Sequence, residues 1–260
     1  MDHPRGWAGL LELMNVLRGP GGCPWDREQD YGSLRSYLLE ESFEVAEAID
    51  RGDRDQLREE LGDLLFQIVF LARLAEEQGR FTIHDVVDGI ADKLVRRHPH
   101  VFGSAVATTA DQVARNWEEI KRGEKGGQRA LLDSVPRALP ALLAAQRLGD
   151  KAAQVGFDWP DASAVLAKIQ EEASELREAL AGPEPDAVRH EFGDLLFSLA
   201  MLARHLRLDA EAALAGANRR FRSRFGWVEQ ELARRGERPE GASFARLEQL
   251  WQEAKTRAAD

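Results

Sequence analysis

Eight acidic residues supply the first chemistry legible in this chain. Glu41 and Glu44, followed by Glu60 and Asp63, recur at a constant offset of 131 residues as Glu172, Glu175, Glu191 and Asp194. Each set has the form E-E-x-x-E followed by E-x-x-D. On helices, residues three apart are neighbours on one surface, so each set offers two pairs of carboxylates to a common point. Carboxylates gathered at a partly buried point repel one another unless a cation neutralises them. Hard oxygen ligands in that number suit Mg²⁺ or Mn²⁺, and Mg²⁺ sites keep positions for water and substrate phosphates.

The elements that must position these acids carry the same duplication. Residues 34–73 and 165–204 align without a gap, sharing Arg58/Arg189, Gly62/Gly193, a Leu-Leu-Phe run and a Leu-Ala-Arg run, while many intervening positions differ. A lone E-E-x-x-E on a charged helix reads as solvated surface. Recurrence in register with an apolar stripe reverses that reading. Val165, Ile169, Glu172, Leu176 and Ala179 fall on one helical stripe, so Glu172 interrupts an apolar face, with Glu175 beside it. Glu191, Leu195, Ser198 and Leu202 form a second stripe, with Asp194 next to Glu191. A turn at Gly182–Pro185 folds the two pairs level. A ferritin-like di-iron bundle would need Glu-x-x-His on two helices, and Asp63 and Asp194 stand where that His belongs.

Strand signals are nearly absent, and Ala, Leu, Glu and Arg dominate, so the chain reads as all-α. Helices are predicted over 5–18, 34–50, 54–78, 83–97 and 109–122 in one half. The other half has them over 137–153, 161–181, 185–206, 209–235 and 243–258. Gly- and Pro-bearing breaks separate them, among them residues 19–22, 51–53, 98–100, 182–185 and 239–241. The glycines and charges of residues 121–129 read as a linker, which places one module at 1–125 and a second at 126–260. His98 and His100, flanking Pro99 in a break, are assigned no role.

Composition narrows the partners. A formal charge of −10 disfavours a nucleic-acid partner, which is gripped by surplus Lys and Arg. Anionic substrates remain compatible if they arrive with a divalent cation. The single Cys23 rules out a disulfide framework within the chain and suits a reducing cytoplasm. No run approaches the ~20 apolar residues that would span a bilayer, so no membrane role is expected.

An anionic substrate carried by a divalent cation would also need cationic side chains, and a planar group on it would need a flat partner. Downstream of the second acid set lie Asn218-Arg219-Arg220-Phe221-Arg222 and then Trp251 and Lys255. Arg forks suit phosphate oxygens and an indole suits a base. Arg189, just before Glu191, is a further candidate for the phosphates.

The doubled acid motif, with Cys23-Pro24-Trp25-Asp26 and Gln29 ahead of the first copy, resembles the MazG family of all-α nucleoside triphosphate pyrophosphohydrolases. The likeness spans nearly the whole chain. Asp30-Tyr31 departs from it, standing where relatives carry Thr-His. The resemblance implies two tandem modules whose four-helix cores are completed by homodimerisation. It also implies Mg²⁺-dependent hydrolysis of an NTP or dNTP to the monophosphate and pyrophosphate, with Mn²⁺ able to substitute. Glu172, Glu175, Glu191 and Asp194 would then be catalytic metal ligands. Glu41, Glu44, Glu60 and Asp63 form the second candidate cluster. Nucleotide contacts would fall to Asn218, Arg222, Trp251 and Lys255, with Arg189 and Glu171 beside them.

The first half keeps partial counterparts in Asp92-Lys93-x-x-Arg96 and Trp117 to Lys121. Asp92 replaces the Asn and adds negative charge, so the second half is expected to dominate. A narrower dUTP, dCTP or phosphoribosyl-ATP pyrophosphatase is a rival within enzymes. A silent helical adaptor bound to a regulatory protein of a stress response is the rival outside them.

Overall fold

The computed structural model describes residues 5–124 and 130–257. Within them every regular element is helical. The chain divides into two compact units, residues 1–127 and 128–260. Positions 125–129 of the stretch read as a linker lie outside the described residues.

The first unit holds α1 (Gly6–Arg18), α2 (Pro24–Glu28), α3 (Tyr31–Arg51), α4 (Arg54–Glu77), α5 (Ile83–Arg97), α6 (Pro99–Phe102) and α7 (Ala110–Glu124). The acids ride on the α3–α4 hairpin, whose ends are set by local chemistry. Asp30 caps α3 in a reciprocal box, its carboxylate accepting from Ser33 N–H at 2.8 Å while its own N–H donates to Ser33 Oγ at 3.0 Å. Gly52, at φ +68°, closes α3 in the left-handed conformation that glycine adopts without strain. Asp53 then caps α4 by accepting from Asp55 and Gln56 N–H. Reversal in two residues forces the helices antiparallel and side by side. Met14, Leu34, Val69, Phe70 and Leu74 fill the core beneath them.

The second unit repeats the hairpin and embeds it differently. It comprises α8 (Ala141–Ala153), α9 (Ala162–Ala181), α10 (Pro185–His205), α11 (Ala210–Ala233) and α12 (Phe244–Arg257). Asp161 caps α9 through Ala164 N–H at 2.8 Å, and Pro185 opens α10 at a position that needs no N–H donor. Beneath the hairpin, α8 approaches α10 so closely at Gly149 that a Cβ there would lie 2.5 Å from Met201 Sδ. Gln146, buried on α8, bridges the α10–α11 connection: its amide donates to Leu208 O and its oxygen accepts from Ala210 N–H. Val228, Leu232, Leu250 and Ala254 seal α11 to α12.

Most predicted helices match in type and nearly in length. The expected start at 137 is displaced to Ala141: Pro140 disfavours the helical conformation at Leu139, and residues 137–139 form a turn. The break at residues 98–100 contains the start of α6, and His98 packs edge-on against Trp117 with ring centres 4.8 Å apart, not out in solvent. The short helix α2 and the 3₁₀ turns at Leu131–Ser134 and Pro239–Gly241 fall below the length at which hydrophobic periodicity is readable.

Candidate active site

In the second unit, Glu172 and Glu175 from α9 and Glu191 from α10 bring carboxylate oxygens within 4.8 Å of one another. Glu172 is only 5% exposed, where the stripe reasoning places it, whereas Glu175 is exposed and Glu191 half-buried. The fourth acid of the set is turned aside. Asp194 Oδ2 lies 3.3 Å from His190 Nε2, one turn back on α10. Lys168, one turn before Glu172, sends its Nζ to 2.8 Å from Glu172 Oε1 and 2.9 Å from Glu171 Oε1. Partial desolvation raises the Glu175 carboxyl above its ordinary range; Lys168 pulls against this and the charges of Glu172, Glu171 and Glu191 add to it.

The first unit assembles a different three of its four acids. Glu41, Glu60 and Asp63 bring oxygens within 4.8 Å, and Glu44 lies close enough for its charge to act on Glu41. Tyr37 stands where Lys168 stands in the second copy, so no cation reaches Glu41 from that position. Burial, then the charges of Asp63 and Glu44, raise the Glu41 carboxyl above its usual range. Crowded acids without a cation favour keeping a proton.

Both triads offer only hard oxygen donors from two antiparallel helices, and each includes a half-buried or buried Glu. That donor chemistry fits a divalent cation of the Mg²⁺ or Mn²⁺ type.

The nucleotide-contact candidates lie mainly on α11 and α12. Trp251 is half-buried against Phe221, with ring centres 5.1 Å apart, and Lys255 Nζ stands 5.9 Å from the indole centroid. Asn218 and Arg222 sit four residues apart on α11, both exposed. Among the described residues no carboxylate pairs with Arg222. Arg189 is exposed on α10 and lies 3.3 Å from Asp186, while Glu171 is held by Lys168.

In the first unit the counterparts are already occupied. Arg96 and Arg97 both clasp Glu124, at 2.7 and 2.5 Å, and Trp117 is covered by His98 and the Arg97 guanidinium. Hydrogen bonds from Arg97 and Arg96 lower the Glu124 carboxyl to about 2. Asp92 is exposed on α5.

Lys168 and His190 escape sequence reasoning, because a charged residue in an acid-rich helix reads as surface. The signal lies in the repeat: Tyr37/Lys168 and Glu59/His190 are places where the copies disagree within one turn of an acid they share. Two further contacts involve the segment ahead of the first acid hairpin. Trp25 meets Tyr37 edge-on at 5.9 Å. Arg18, its side chain nearly buried, grips Glu77 and the carbonyls of Asp26 and Gln29, which fixes the turn carrying Trp25.

The MazG nucleotide pyrophosphohydrolase domain model matches residues 29–102 and again 161–228, once over each acid hairpin. The nucleoside triphosphate pyrophosphohydrolase of Escherichia coli K12 is 45% identical over 96% of this chain and 97% of its own. The nucleoside triphosphate pyrophosphohydrolase/pyrophosphatase MazG of Thermotoga maritima is 44% identical over 95% of this chain and 94% of its own. An uncharacterized Bacillus subtilis protein, YabN, is 44% identical over 96% of this chain, which spans 51% of that protein.

Proposed function

Because the chain belongs to the MazG nucleotide pyrophosphohydrolase family, we propose that it hydrolyses nucleoside and deoxynucleoside triphosphates to the monophosphate and pyrophosphate, mainly in its second unit. The convergence of Glu172, Glu175 and Glu191 within 4.8 Å carries this reading. These three, joined by Asp194 after rotation away from His190, would hold a Mg²⁺ ion. Such an ion polarises phosphate oxygens and lowers the pKa of bound water.

The chain's own groups supply the rest. An exposed carboxylate beside the phosphates, such as Glu175, can accept the proton of the attacking water. Arg222 and Lys255 offset charge on the triphosphate, and the half-buried indole of Trp251 offers a stacking partner to the base. Glu172, buried in the middle of the stripe, anchors the others.

Homodimerisation is part of the same reading. Leu61, Leu65 and Ile68 on α4 are exposed, as are Phe192, Leu196 and Leu199 at the equivalent places on α10. Gly62 and Gly193 lie among them with open space where a Cβ would stand. A hairpin with an uncovered apolar face is half of a four-helix core. The described helices include none long and apolar enough to cross a membrane, and action on the cytoplasmic nucleotide pool is the corresponding proposal.

Mg²⁺-dependent pyrophosphate release, assayed over the common NTPs and dNTPs, tests the activity. Release confined to dUTP, to dCTP or to phosphoribosyl-ATP would replace the broad reading with a narrower pyrophosphatase, and no release from any would leave a binding module.

A further inference from the structure

We propose that Lys168 is a tethered counter-ion of the second acid site, which must withdraw from Glu172 and Glu171 before a divalent cation can enter, and so weakens the site's affinity for free metal. This rests on the reading of that cluster as a metal centre.

Three observations carry it. Lys168 Nζ bridges two carboxylates, at 2.8 Å from Glu172 and 2.9 Å from Glu171. Glu172 is 5% exposed, and a buried carboxylate without a partner is costly, so Lys168 relieves the burial of the deepest acid in the site. Spacing permits the contact: a residue four positions before Glu172 lies on the same helical face, and a lysine stem is long enough to reach along it.

The first unit is the internal contrast. Tyr37 occupies the matching place and brings no charge to Glu41. An ammonium and a divalent ion seek the same Glu172 oxygen, so the two compete. Lysine is suited to that role, being a flexible point charge that can leave without disturbing the backbone.

The experiment titrates Mn²⁺ into the full-length protein carrying Glu41→Gln and Glu44→Gln, so that the second site alone is read by calorimetry and by Mn²⁺ spin resonance. Lys168→Met in that background should bind Mn²⁺ on the order of tenfold more tightly, equivalent to about 1.4 kcal/mol. Its metal-free melting temperature should fall, and saturating Mn²⁺ should restore it. Lys168→Arg should stay near the parent affinity. Arg177→Met removes a charge that, among the described residues, donates to Ser174 and serves as the control for general electrostatics; it should move affinity much less.

Equal tightening by Lys168→Met and Arg177→Met, or unchanged or weaker binding in Lys168→Met, overturns the counter-ion role. If Lys168→Met folds neither with nor without Mn²⁺, Lys168→Tyr, copying the first unit, takes its place with the same expectations. Absence of any Mn²⁺ binding by the parent contradicts the metal centre itself, a separate outcome.

Discussion

Arg96 Nε lies 2.7 Å from the Glu124 carboxylate, closing against the end of its own unit the position that Arg222 leaves open in the other. Both units keep the acid set, yet the surrounding charges differ. Asp92 adds an anion where Asn218 is neutral, and Glu124 adds another beside Arg96. At ~4 Å and an intermediate effective dielectric, a misplaced unit charge is worth on the order of 4 kcal/mol. Glu41→Gln with Glu44→Gln should therefore cost little turnover, while Glu172→Gln with Glu175→Gln should remove nearly all of it. Equal losses would overturn the asymmetry. In the second-unit knockout, Asp92→Asn with Glu124→Gln should raise the residual rate; no change would move the cause of silence elsewhere.

On the proposed function, Trp251 would support the base and Lys255 the phosphates. Trp251→Ala should raise KM for the nucleotide by about tenfold or more, as expected when a stacking contact of ~1–3 kcal/mol is lost, with a smaller change in kcat. Steady-state kinetics on the full chain check this, with Trp251→Phe restoring part of the loss. An unchanged KM would return Trp251 to a packing role against Phe221.

The Arg96–Glu124–Arg97 cluster sets an acid limit for the first unit. Glu124 has its carboxyl lowered from 4.5 to about 2. A depressed folded pKa gives stability that is fully present above the unfolded value and is lost as pH falls from 4.5 towards 2. Thermal melts across that window should show a shallower decline in Glu124→Gln than in the parent. Identical slopes would mean that the cluster contributes nothing to the acid response.

Leu65 and Leu196 occupy the same place on the uncovered faces of α4 and α10. Leu65→Glu with Leu196→Glu should shift the protein towards monomer in analytical ultracentrifugation while helicity by circular dichroism stays intact. A parent that already sediments as a monomer would remove the dimer from the account.

Much of the fold was legible because the long helices advertise themselves. Gly52, Asp53 and Pro185 lie in breaks read from the sequence, whereas the Asp30 cap starts α3 at Tyr31, ahead of the expected 34. The turn of α2 and the single turn of α6 left no periodic trace, and Pro140 moved the start of α8. Site chemistry was legible in part. The stripe placed Glu172 facing inwards, where it is buried, but could not tell that three acids of each four converge, nor which. Asp194 stands 3.3 Å from His190 and outside the second triad, while in the first triad Asp63 is a member and Glu44 is not. Such rotamer decisions depend on residues one turn away and carry no motif of their own.

Pyrophosphate-releasing hydrolysis at the second acid site is read out by identifying the first products of a nucleoside triphosphate in ¹⁸O-labelled water, with Mg²⁺ and again with EDTA, in the parent and in Glu172→Gln. The expected products are pyrophosphate and a nucleoside monophosphate in equal amounts, with the label in the monophosphate and near-complete loss both in EDTA and in the variant. Orthophosphate and a diphosphate as first products, or parent-like turnover in EDTA or in Glu172→Gln, would contradict it.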